Sequence, residues 1–279
     1  MTIQQLFPTS GSRPIKNLYL EHNLRQIADQ LGRPFVYANF VQSLDGRIAI
    51  PHSIKPGLQI PQNVANDRDW RLFQELAAQA DLIISSGRYL RDWADGRAQE
   101  ILRVDDPAFA DLRDWRQAQR LKQQPDIAII SGSLDFPIPE VLTPNGRRVI
   151  VFAAGIPGPI RAAEIEAQAG NLFIVGETAV SGAKMVAKMS QLGYQVVYSA
   201  ASPKILRLLL AGGVLNRLYL TQVSRLLGGS PFASILEGDL LETAVDAQLH
   251  TLYSDPAALD GVGQLLLAYN IASMSNETN

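Results

Sequence analysis

Short apolar runs, each ending in a turn of small residues, alternate with helix-length amphipathic stretches along most of the chain. The runs are Phe35–Val41, Ala80–Ile84, Asp126–Ile130, Arg148–Phe152, Asn171–Val175 and Gln195–Tyr198. Their turns are Ser85-Ser-Gly-Arg88, Ser131-Gly-Ser133, Ala153-Ala-Gly155, Gly176-Glu-Thr178 and Ser199-Ala-Ala-Ser202. Runs that are apolar on both faces belong to strands covered on both sides, and strands alternating with helices predict an α/β fold with a largely parallel sheet. Helical spacing of apolar positions predicts helices over 18–31, roughly 67–79 and 181–192. Pro203 opens another at its first turn, where a missing N–H costs nothing, and Gly212-Gly213 closes it. The stretch 89–124 is polar and helix-prone. Arg217–Val223 reads as a further strand, and Gln248–Tyr253 with Gln264–Tyr269 as a closing antiparallel pair. Residues 1–15 look loose, with Pro8, Ser10, Gly11, Ser12 and Pro14 close together. The expected organisation is an N-terminal extension with one helix (1–32), one domain over 33–272, and a disordered tail (273–279).

One run ends differently from the rest. After Arg33-Pro-Phe-Val-Tyr-Ala-Asn-Phe-Val-Gln, the sequence places Ser43, Asp45, Gly46 and Arg47 together. In open α/β sheets ligands bind beyond the carboxyl ends of the strands, so this is a candidate polar rim for a small-molecule site. The same residues also fit a plain turn with Asp45-Gly46 as its corner.

Composition narrows the chemistry. The chain has 279 residues, 47% of them apolar, and a net charge of −2, so the electrostatic footprint of a nucleic-acid binder is missing. Absence of cysteine removes disulfides, thiol nucleophiles and cysteine-ligated metals, and the three histidines, His22, His52 and His250, stand far apart. No apolar stretch reaches the ~18 residues that a membrane span needs. Met-Thr-Ile-Gln-Gln is not a basic region followed by an apolar run, so no signal peptide and a soluble cytoplasmic protein are expected.

General acid–base candidates are thin: Asp45, Asp92, Asp95 and Glu177 follow strands, and each also fits a solvated loop or a helix cap. Hydride transfer suits this poverty, because a cofactor carries the hard chemistry. Small turns let backbone N–H groups approach phosphates, and Ala200-Ala-Ser-Pro203 and Leu227-Gly-Gly-Ser230 fit that use. Neither G-x-G-x-x-G nor G-x-x-x-x-G-K-[ST] is present. Arg88 or Arg91 is a candidate partner for a 2′-phosphate.

From about Arg33 to Tyr269 the chain resembles the C-terminal reductase domain of bacterial riboflavin-biosynthesis deaminase–reductases. The resemblance rests on Ser43-Leu-Asp-Gly-Arg-Ile-Ala49, on Leu76-Ala-Ala-Gln-Ala-Asp-Leu-Ile83, on Pro203 to Gly213 followed by Val214–Tyr219, on Leu227-Gly-Gly229 and on the last strand. It implies a dihydrofolate-reductase-like, three-layer α/β fold, with a mostly parallel central sheet and a C-terminal antiparallel hairpin. It implies an NADPH-dependent oxidoreductase, acting on CH–OH or C=N groups, that reduces the ribose of a phosphorylated aminopyrimidine or acts on a related pterin or pyrimidine. By the resemblance Ser43 and Asp45 are the catalytic candidates, and Asn39 joins them at the nicotinamide and substrate end. Ser85, Ser86, Gly87, Arg88, Ser131, Ser133, Gly176, Ala201, Ser202 and Pro203 lie along the dinucleotide, with Leu227, Gly228 and Gly229 closing over it. No metal is implied, the partner is a small molecule, and a homodimer is expected.

The departures are equally specific. Ala77 stands where the family has a substrate-binding arginine, and Ala200, Ala201 and Ser202 stand where it has glutamate and two glycines. Losing an arginine removes a bidentate anion contact, and adding a Cβ obstructs backbone approach to a pyrophosphate. The alternative is therefore a nucleotide-binding or regulatory protein that keeps the fold without the catalysis.

Overall fold

Strand and helix alternate as the apolar pattern predicts in the computed structural model of the chain, which describes residues 2–52, 57–138 and 146–272. In chain order the strands and helices begin with β1 (Thr2–Phe7), β2 (Gly11–Pro14), α1 (Leu24–Leu31), β3 (Phe35–Ser43), β4 (Ile50–Pro51), β5 (Leu58–Gln59), α2 (Asp67–Gln79) and β6 (Leu82–Ser86). There follow α3 (Gly87–Ala94), α4 (Ala110–Ala118), β7 (Asp126–Ile130), β8 (Val149–Ala153), α5 (Pro159–Ala169) and β9 (Leu172–Ile174). The last elements are α6 (Gly182–Gln191), β10 (Val196–Ser199), α7 (Pro203–Ala211), β11 (Arg217–Val223), β12 (Ala247–Asp255) and β13 (Gln264–Ile271).

The chain forms two compact units. One comprises Met1–Asn23, Val36–Glu75 and Pro203–Asn279, the other Leu24–Phe35 and Leu76–Ser202. In the first, strands lie in the order β2-β1-β12-β13-β11-β3. Only β11 and β3 run parallel there; β12 and β13 form the expected antiparallel pair. In the second, β10-β6-β7-β8-β9 are all parallel, so the small turns after these strands gather at one edge. Val149–Ala153 and Leu82–Ile84 are wholly buried, as strands apolar on both faces require.

The N-terminus departs from expectation. Residues read as loose form the β1–β2 hairpin, and β1 extends the sheet by pairing with β12. Alternation in Thr2–Phe7 buries only Ile3 and Gln5, too weak a period to register as a strand. The helix expected over 18–31 is broken: a 3-10 turn at Leu20–His22 ends at Asn23, whose left-handed backbone (φ 48°) separates it from α1. Helix α5 was not anticipated; Pro159 starts it, and Gly170 (φ 72°) ends it. The C-terminal segment 273–279, expected to be a disordered tail, lies outside the described residues.

A buried cation fastens the second unit. Arg116 of α4 is 1% exposed; its Nη1 donates to the carbonyls of Ala78 and Ala80 (2.7 and 2.9 Å) and its Nε to that of Lys122 (2.8 Å). The Ala78 carbonyl lies at the end of α2, where helix carbonyls lack intrahelical partners. Arg116→Met fills the volume but strands these acceptors away from water. The variant should lose about 3 kcal/mol of stability in urea denaturation; a loss under about 1 kcal/mol would mean the carbonyls find water.

Candidate functional site

The corner after β3 is both a turn and a polar clamp. Parallel pairing sets Arg217 beside Tyr37 and Val223 beside Ser43, so β3 and β11 end together. Gly46 takes φ 80°, open to glycine, and its amide donates to the Ser43 carbonyl (3.0 Å). The Ser43 hydroxyl, fully buried, donates to the Asp45 carboxylate and accepts from the Arg47 amide (3.0 Å). The second Asp45 oxygen accepts from the amides of Leu227 (3.1 Å) and Gly228 (2.8 Å) and pairs with Arg47 Nη1 (2.8 Å). Arg47 continues the clamp: its Nη2 donates to the Gly229 carbonyl (2.9 Å), and its guanidinium stacks 4.3 Å from the centre of the Phe232 ring. A bridge between Ala49 and Ala233 extends the zipped edge.

Electrostatics follow from these contacts. The Ser43 hydroxyl, then the Gly228 amide, hold the Asp45 carboxyl at about 2, well below the usual carboxylate range. Asp45 therefore has no proton to give near neutral pH. What it does is hold Leu227-Gly228-Gly229 against the strand end. A depressed carboxylate contributes stability above its unfolded value and loses it as the pH falls through the folded one, so the clamp loosens only in strong acid.

Expected site residues are divided between the two units. Ser43, Asp45, Leu227, Gly228 and Gly229 come together in the first unit, with Asn39 farther back on β3 opposite Tyr219. Pro203 begins α7 in that unit. In the second, Ser85, Ser86, Gly87, Arg88, Ser131, Ser133, Gly176, Ala201 and Ser202 all lie at or just beyond the carboxyl ends of its strands.

Their local roles differ. Ser131 accepts from the Leu134 amide (3.0 Å) and Ser133 from that of Asp135 (3.3 Å), so both hydroxyls shape their own turn. A Cβ on Gly87 would stand 2.8 Å from the Phe136 ring, and one on Gly176 would stand 1.8 Å from the Ala179 carbonyl. These glycines are dictated by packing within the fold. Gly132 faces open space instead, with nothing within 4 Å of a Cβ built there; Gly228 and Gly229 are as open, but their left-handed backbone (φ 67° and 85°) already calls for glycine. Ser86 caps α3 in an extended conformation without spending its side chain on a cap. Open glycines and an uncommitted helix start suit a phosphate-bearing ligand. Arg88 is mostly exposed, paired with Asp92 at 3.5 Å.

Sequence reasoning missed Asp69. In the first turn of α2 it looks like a carboxylate favouring the helix dipole, with Asn66 as the cap accepting from the Arg68 and Asp69 amides (3.1 and 3.0 Å). Folding buries it, however, against β11, where the Thr221 hydroxyl donates to it at 2.5 Å. Thr221 lies two residues before Val223, the partner of Ser43. Burial pushes the Asp69 carboxyl up to about 6, partly opposed by the Thr221 hydrogen bond. No local signal marks it; the burial comes from a strand 152 positions away. Among the described residues no group of three or more metal-ligating side chains occurs, and no helix is long and apolar enough to cross a membrane.

The RibD C-terminal domain family matches residues 34–255. No curated protein matches the chain. Among solved structures it is similar to a pyrimidine reductase-like protein of Corynebacterium diphtheriae, with TM-score 0.65 and 16% identity over 89% of this chain and 98% of that one. It is similar also to the riboflavin biosynthesis reductase Rib7 of Saccharomyces cerevisiae, with TM-score 0.57 and 16% identity over 91% of this chain and 99% of that one. Acinetobacter baumannii RibD gives TM-score 0.59 and 16% identity over 88% of this chain, which spans only 60% of that longer protein. At such identities the likeness is one of fold: mixed α/β, dihydrofolate-reductase-like, as the resemblance implies.

Proposed function

Because the chain belongs to the RibD C-terminal domain family, we propose that it is an NADPH-dependent pyrimidine reductase of riboflavin biosynthesis. Its substrate is a phosphorylated aminopyrimidine whose ribosyl group is reduced, and it works as a cytoplasmic homodimer. The observation that carries this reading is the Asp45 clamp: the family's serine–aspartate corner is present and holds a glycine-rich loop at the joint end of β3 and β11. The open position at Gly132 fits backbone approach to a dinucleotide.

When bound, NADPH supplies a hydride to the sugar carbon. This chain's residues then have two tasks. Asp45, Ser43 and Arg47 orient the loop that covers the ligand. Asp69, buried beside Thr221 two residues before the partner of Ser43, takes up and passes on the proton that a hydride reduction also consumes, its carboxyl raised toward neutral pH for that exchange. Ser85 to Arg88, Ser131 to Ser133, Gly176 and Ala201 to Pro203 line the dinucleotide, with Asn39 toward the reacting end.

The second reading, binding without catalysis, is favoured by Ala77. It is fully buried in α2, so the family's arginine has no counterpart at that position. Melting the protein with NADPH and NADH separates cofactor binding from its absence. NADPH should raise the melting temperature more than NADH does; no shift with either at millimolar concentration would remove the reductase and the nucleotide-binding reading together.

A further inference from the structure

Away from the Asp45 clamp, the N-terminal hairpin and β12 enclose an open cleft of about 480 Å³. Its walls include Arg13, Glu21, His22, His250, Tyr253 and Asn270. Two imidazoles meet there edge to face, their ring centres 5.6 Å apart. His22 is spent: its Nδ1 bonds the Tyr219 hydroxyl at 2.8 Å and its Nε2 the Tyr253 hydroxyl at 3.4 Å. His250, half-buried, makes no hydrogen bond among the described residues.

Several elements around the cleft bring charges or dipoles to it. Arg13 comes from β2, Glu21 from the 3-10 turn, Tyr253 from β12, and Arg217 with Tyr219 from β11. Arg217 is 3% exposed and donates from Nε to Asn270 on β13 (3.0 Å). Glu21, exposed at the rim, is the one acid lining the cleft. Burial first, then the charge of Arg217, lowers His22 to about 3 and His250 to about 4. The cleft is thus positive, partly desolvated, and lined by an imidazole with an unused nitrogen.

We propose that this cleft is a binding site for a small oxyanion, the phosphate or carboxylate of a metabolite, held by His250 and Arg13. Two features argue for an anion over other ligands. A cation would meet Arg13 and feel the buried charge of Arg217 behind the wall, and a purely apolar ligand would leave His250 and the Asn270 amide without water. An anion instead offsets the field that keeps the imidazoles neutral, so its arrival raises their proton affinity. By linkage, binding takes up protons, and affinity rises as the pH falls.

The test follows the imidazole ring signals of the full chain by NMR at constant ionic strength. One arm adds inorganic phosphate; the other adds acetate, which stays ionised between pH 7 and 6. Saturable shifts of the His250 ring are expected, with acetate affinity rising about threefold over that interval. Arg13→Gln and His250→Gln should each weaken binding about tenfold. Saturation by phosphate alone assigns a phosphate group, and by acetate alone a carboxylate; each supports the proposal. Shifts that never saturate in the unaltered chain, or an affinity unchanged in both variants, would overturn it. The readout needs no catalytic activity, so it stands apart from the reductase reading.

Discussion

Asp69→Asn should give a protein more stable than the original chain at pH 8 and nearly inactive as a reductase. The sign follows from burial. A carboxyl raised from 3.8 to about 6 binds its proton more tightly when folded than when unfolded. Below the unfolded value both states are protonated and nothing is lost. As the pH climbs from about 4 to 6 the unfolded chain releases this proton while burial makes the folded one keep it, so stability falls, by about 3 kcal/mol in all for a shift of some two units. Asparagine keeps an oxygen for the Thr221 hydroxyl and never ionises. Melting curves of the two proteins should therefore agree near pH 4, separate between pH 4 and 6 and stay apart above that, the variant melting higher. Turnover should fall about hundredfold, the usual scale for losing a general acid. Full turnover in a stabilised variant would reduce Asp69 to a packing residue; equal melting at pH 8 would mean the carboxyl is hydrated.

Asp45→Asn should separate binding from stability in the opposite way. The carboxylate is a fifth exposed, at the surface end of β3, so the fold does not rest on it. Its substitution removes the ion pair to Arg47 and the charge behind the bonds from the Leu227 and Gly228 amides. Charge-assisted bonds are about twice as strong as neutral ones, so the loop should detach more often. NADPH affinity is expected to fall at least about tenfold with little change in melting temperature. Limited proteolysis should find a new cut near Gly228. Equal loss of binding and stability would make Asp45 a turn residue and no more.

Much of this was legible because the signals were local. Apolar runs bounded by Ser85-Ser-Gly87 or Ser131-Gly-Ser133 state both strand and turn within a few residues, and β6, β7, β10 and β11 appear within one or two positions of expectation. Pro203 and Gly212 bracket α7 for the same reason. What failed was non-local. The β1–β2 hairpin alternates weakly and depends on pairing with β12 near the far end of the chain. Asn23 breaks a helix whose apolar spacing is otherwise continuous, through a left-handed backbone that spacing does not encode. At the site, Ser43-Leu-Asp-Gly46 announced a corner, yet its partners at Leu227 and Gly228 lie 182 and 183 positions away. Gly87 and Gly176 invited a phosphate-binding reading, and packing against Phe136 and Ala179 supplies a nearer reason for both. Asp69 wore the dress of an ordinary first-turn carboxylate until β11 covered it.

The central claim is that the clamped corner serves reduction and not binding alone. The direct measurement incubates the protein with a phosphorylated ribosylaminopyrimidine and NADPH deuterated at the transferred position, then follows deuterium by mass spectrometry. The account predicts oxidised cofactor and deuterium in the sugar-derived chain of the product. NADPH bound but unoxidised, with the substrate returned unlabelled, would contradict it and leave a nucleotide-binding protein on a reductase fold.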